Sequence, residues 1–134
     1  MPLYTLVNDT SPSTTKAAPL VTQLLVEPGT IIRVAVQFPR FCGGLAHAQI
    51  LRGGLVVWPT NAEQDLASDG IVIEWADDYP VPQVESWSLR TWNDDDTYPH
   101  VITAWLNLRA IRQPVAAVSG PSLLQRLQQL VGGP

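Results

Sequence analysis

A lone cysteine, Cys42, in a chain of 134 residues leaves no partner for an internal disulfide, so the fold must be held by packing and hydrogen bonds. Cys42 reads as a small residue in a turn, because nothing around it supplies the electropositive setting of a reactive thiol. Charge is also scarce. Only 15% of residues are charged and the net charge is -4, with no basic patch of the kind a duplex binder carries, so nucleic acid is excluded as the expected partner. No apolar run approaches the roughly 20 residues that a membrane span needs. The opening Met1-Pro2-Leu3-Tyr4 lacks the basic and apolar regions of a signal peptide. The expectation is therefore a soluble chain made in the cytoplasm, without a membrane partner. Twelve prolines and nine glycines leave few stretches in which a long helix could survive.

What is present is a hydrophobic share of 46%, enough for one domain with a real core. Residues 1–19 contain Asp9-Thr10-Ser11-Pro12-Ser13-Thr14-Thr15-Lys16, too polar to pack alone, and are read as an extended N-terminal arm. Residues 20–112 form the expected β domain, 113–121 a linker, and 122–131 a short helix. Ser122 and Gln125 have the spacing of a capping box, and Gly132-Gly133-Pro134 supplies a stop. Leu123, Leu124, Leu127, Leu130 and Val131 lie on one stripe at helical spacing. So short a helix is marginal in water alone, so the stripe is expected to be buried on a neighbour or on its own domain.

Within 20–112 the apolar residues recur every second position. Ile32, Val34, Val36 and Phe38 alternate with Ile31, Arg33, Ala35 and Gln37, after a turn at Glu27-Pro28-Gly29-Thr30. Ala46–Arg52 and Leu55–Trp58 flank Gly53-Gly54, the strongest hairpin signal in the chain. Its register would place Leu51 opposite Val56, Ile50 opposite Val57 and Gln49 opposite Trp58. Further runs cover Ile71–Trp75, Val84–Trp92 and Val101–Ala110, the last two read as a hairpin around Asn93–Pro99. The predicted class is all-β, an antiparallel sandwich or jelly roll of about seven to eight strands.

No nucleophile elbow, phosphate-binding glycine loop or zinc-type cysteine or histidine pairing is present, and no catalytic, cofactor-binding or metal site is assigned. His47 and His100 are read as structural. Asp94-Asp95-Asp96 offers oxygen ligands but lacks the glycine and distal glutamate of a calcium loop. A glycosidase would need two carboxylates at a defined separation, which spacing along a chain does not reveal. The tryptophans say more. In the last strand Ile102, Ala104, Leu106 and Leu108 form the inward row, which turns Trp105 outward. Trp87 and Leu89 inward turn Trp92 away from the core, and the hairpin register puts Trp58 beside Leu51 and Val56 on an outer face. Leu51, Val56, Trp58, Trp92 and Trp105, with the helical stripe, are the expected interaction residues.

Over about residues 21–109, the succession Pro28-Gly29-Thr30-Ile31, Gln37-Phe38-Pro39, Ile50-Leu51-Arg52-Gly53-Gly54, Pro59-Thr60-Asn61, Asp69-Gly70 and Trp92-Asn93-Asp94-Asp95-Asp96-Thr97-Tyr98-Pro99-His100 resembles small virion-associated proteins of tailed double-stranded DNA phages. That family includes head decoration and turret-type subunits. The resemblance implies a non-enzymatic subunit located in the virion, binding copies of itself and a major capsid protein. All acidic residues except Asp9 and Glu27 fall between Glu63 and Asp96, an asymmetry that would steer such docking. The alternative from the residues is a carbohydrate-binding module, with an outward Trp58, Trp92 or Trp105 stacked on sugar rings.

Overall fold

A computed structural model of the chain describes residues 2–111. They form eight strands: β1 (Leu3–Thr10), β2 (Leu20–Val26), β3 (Gly29–Gln37), β4 (Ala46–Arg52), β5 (Leu55–Trp58), β6 (Val72–Val81), β7 (Glu85–Asn93) and β8 (His100–Ala110). All pairings are antiparallel and nested: β4 with β5, β3 with β6, β2 with β7 and β1 with β8. The chain is thus one long hairpin, closed at Gly53 with φ of 60°, whose two arms are rolled over each other. Rolling creates two further pairings, β3 with β8 and β4 with β7, and divides the strands into two sheets. Their orders are β1-β8-β3-β6 and β2-β7-β4-β5, the double-sheet arrangement of a jelly roll. The core lies between the sheets and includes Ile31, Val34, Val36, Ile102, Leu106 and Leu108 from one, and Val26, Ile50, Trp87 and Leu89 from the other.

Several expectations require correction. Residues 3–10 are not an arm but an integral edge strand, with Leu6, Asn8 and Thr10 buried. The polar composition misleads here because the alternate polar side chains belong to a hydrogen-bonded layer inside the sandwich. β7 and β8 are consecutive but lie in different sheets, so they do not form a hairpin. β6 continues through Asp77-Asp78-Tyr79-Pro80, which looks like a turn in the sequence. It is an edge strand, where a proline removes no ladder bond and charged residues are tolerated.

Two register shifts alter which face a side chain takes. Between Ile31 and Arg33 the register of β3 slips against both neighbours, so that Ile31 and Val34 both point inward and Ile31 is fully buried. Between Ile50 and Leu51 the register of β4 slips against β5: Leu51 still pairs with Val56, but Ile50 pairs with Trp58. One extra residue in a strand reverses the face of everything beyond it. Trp58 therefore enters the core, only 6% exposed, and packs against Trp75, Tyr79 and Trp87. No helix among the described residues is long and apolar enough to cross a membrane.

Candidate functional site

The nested hairpin gives the molecule two unlike ends. Short turns, 27–28, 53–54 and 82–84, close one end. Longer segments, 11–19, 38–45, 59–71 and 94–99, gather at the other. Backbone hydrogen bonds tie the four together: Ser13 N–H to Asp95 O at 2.8 Å, Asn93 N–H to Thr14 O at 2.9 Å, Asp94 N–H to Leu45 O at 2.8 Å and Gly70 N–H to Pro39 O at 3.1 Å. Loops held on a rigid sheet scaffold are where binding surfaces are commonly built.

Beneath them lies a polar layer. Asn93 is fully buried; its amide donates to Thr10 O (3.2 Å) and Tyr98 O (2.9 Å), while its Oδ1 accepts from Asp95 N–H (2.9 Å). Asp95 in turn accepts from Thr97 N–H and from His100 Nε2, both at 2.9 Å. These donors hold its carboxyl below the ordinary value, the Thr97 N–H contributing most, then His100, against an opposing push from burial.

His47, on β4, spans two loops: Nδ1 lies 2.7 Å from Asp65 Oδ1 and Nε2 lies 2.8 Å from Asp94 Oδ2. The imidazole also stacks on Trp92, with centroids 5.4 Å apart and planes at 15°, and Lys16 Nζ sits 5.4 Å from the centroid of the same indole. With both ring nitrogens directed at carboxylates, His47 works here as a clamp between loops. The aspartates of 94–96 diverge, Asp94 to His47, Asp95 to His100 and Asp96 to the Thr97 hydroxyl. Among the described residues, no group of three or more His, Cys, Asp or Glu side chains is placed to hold a metal ion.

At the tip, Phe41 has a φ of 69° and is 88% exposed. Its N–H donates to Asp69 Oδ1 at 2.7 Å, which fixes the backbone in that conformation. Tyr98 is 65% exposed. Pro39, Arg40, Phe41, Tyr98, Pro99 and Val101 enclose a recess of about 440 Å³. A left-handed backbone costs a bulky residue roughly 1–2 kcal/mol. Neither the strain nor the exposed ring contributes to the core.

The expected interaction residues separate. Trp92 does face away from the core, but His47 and Lys16 cover it and it is only 3% exposed. Leu51 is buried and Trp58 is in the core, whereas Val56 is half-buried. Trp105 faces outward on β8 and is half-buried. Leu123, Leu124, Leu127, Leu130 and Val131 lie outside the described residues. Nothing in the sequence assigns a role to Phe41 or Tyr98; the available signal is an aromatic residue within two positions of a proline, in a segment without alternation.

No family model and no curated protein sequence matches the chain. Among solved structures it is similar to an acetyl xylan esterase from the rumen bacterium Butyrivibrio proteoclasticus, at 7% identity and a TM-score of 0.40, over 84% of this chain. The match spans only 34% of that enzyme. It is also similar to the P-domain of Macrobrachium rosenbergii nodavirus, at 7% identity and a TM-score of 0.29, over 82% of this chain and 94% of that one. Likenesses this weak carry no argument about function.

Proposed function

We propose that the chain is a non-enzymatic structural subunit that associates with copies of itself through the long-loop end of its jelly roll, as part of a larger protein assembly of the virion type. The observation that carries this reading is Phe41, a bulky aromatic held in a left-handed backbone and displayed beside Tyr98. Strain that does not serve the fold is characteristic of functional positions. The clamped loops supply the second requirement, a surface ordered before it meets its partner, so that little conformational freedom is lost on docking.

The test is the mass of the purified chain by light scattering across a range of concentrations, beside the double variant Phe41→Gly, Tyr98→Ser. A defined oligomer is expected for the parent chain and a shift towards monomer for the variant, with unchanged circular dichroism. A chain that is monomeric at every concentration, or an oligomer indifferent to both substitutions, overturns the reading.

A further inference from the structure

The outer face of the β1-β8-β3-β6 sheet lies away from the loop tip and carries a second site. Across the strands, Thr5, Trp105, Ala35 and Glu74 are successive partners, and Leu3, Asn107 and Arg33 form the next row. Ala35 is the smallest side chain beside the indole, and over it the surface sinks into a depression of about 330 Å³ lined by Leu3, Arg33, Ala35, Val72, Glu74, Trp105 and Asn107. That volume is near the lower end of the ~300–1,000 Å³ typical of small-ligand sites.

The lining is amphipathic in a specific way. Trp105 offers an aromatic surface on a strand paired on both sides, so the platform is stiff. Around it stand three planar polar groups. Arg33 Nε donates to Glu74 Oε2 at 2.6 Å, and both side chains remain about half-exposed. Among the described residues, the Arg33 Nη groups, Glu74 Oε1, the Asn107 amide and the Trp105 N–H make no other side-chain hydrogen bond, so donors and acceptors stay free at the rim of the depression. A protein–protein hot spot is usually depleted of charge at its centre. Here an ion pair stands against the aromatic platform instead.

We infer that this depression is a binding site for a neutral saccharide. A pyranose ring has an apolar face of C–H groups that fits an indole and an equatorial belt of hydroxyls that both donate and accept. The Arg33–Glu74 pair and Asn107 offer complementary groups of both kinds. Because Glu74 balances Arg33, the site carries no net charge and favours neutral sugars over acidic ones. The register slip at Ile32 helps to form it, because it places Arg33 on the outer face with Ala35 and within reach of Glu74.

The test is calorimetric titration of the full chain with a panel of neutral hexasaccharides (β-1,4-glucan, β-1,3-glucan, xylan, mannan, chitin and α-1,4-glucan fragments) and with polygalacturonate fragments as the acidic comparison. Two variants accompany it: Trp105→Ala, which removes the platform, and Ala35→Leu, which keeps the indole and fills the depression. Both positions are on the outer face, and circular dichroism checks that each variant is folded. Expected is 1:1 binding of at least one neutral fragment, weakened at least about tenfold by either substitution. No binding by the parent chain up to about 5 mM overturns the inference. So does binding that survives both variants, or binding of the acidic fragments alone. The oligomer test at Phe41 and Tyr98 has a separate readout on a separate surface, so each proposal can fail without the other.

Discussion

At the scale of single residues, the buried polar layer sets the sharpest expectations. Asn93, itself fully buried, satisfies two carbonyls and one N–H, from the end of β1 and from the 94–99 loop. Asn93→Ala should therefore destabilise the fold by about 1–3 kcal/mol, the usual cost of leaving buried polar groups unpaired, read as a lower urea midpoint. Asp95 makes stability depend on acid. Its folded carboxyl lies below the ordinary 3.8, so its contribution is fully present above that value and is lost as pH falls through the lowered folded value. Urea midpoints near neutral pH and near pH 3 should differ less in Asp95→Asn than in the parent chain, and an equal difference would remove Asp95 from the account. Phe41→Gly should have the opposite character. Relief of the left-handed strain predicts a stability gain of about 1 kcal/mol alongside weaker association, whereas a merely structural Phe41 would lose stability.

At the scale of elements, β1 and β3 decide how the rolled hairpin closes. A Cβ on Gly29 would lie 2.4 Å from the carbonyl oxygen of Arg109, which is backbone and cannot swing away. Gly29→Ala should push β3 from β8 and cost about 1–3 kcal/mol, measured by thermal or urea unfolding. Removing residues 1–10 tests whether β1 belongs to the body of the fold. The deletion uncovers Ile102, Ala104 and Leu106 at the edge of β8 and leaves the Asn8–Thr91 and Thr10–Thr91 hydrogen bonds unmade, so cooperative unfolding should be lost or much weakened. A true arm could be removed without that effect. Composition could not distinguish the two, because Asn8 and Thr10 are polar residues whose partners, Leu89 and Thr91, lie some eighty positions away.

At the scale of the whole molecule, much was legible from local chemistry. Period-two alternation and turn residues are properties of neighbouring positions, so the all-β class, the Gly53-Gly54 hairpin, the inward row of β8 and the outward face of Trp105 could be read directly. Three things depended on the tertiary structure. The division of strands between sheets follows from how the long hairpin rolls, which made β7 and β8 members of different sheets although they are adjacent in the chain. The faces of Ile31 and Trp58 follow from register slips, because one additional residue reverses a period-two pattern without leaving a trace in composition. The groupings that matter most, His47 between Asp65 and Asp94, Phe41 beside Tyr98, and Trp105 amid Arg33, Glu74 and Asn107, join residues from separate strands and loops. The sequence by itself determined the all-β class and the strands whose apolar residues alternate, because that pattern is local, whereas the polar β1 and the far half of β6 became strands only through pairing with β8 and β3. Which side chains meet at a site was decided only when long-range pairing brought distant segments together.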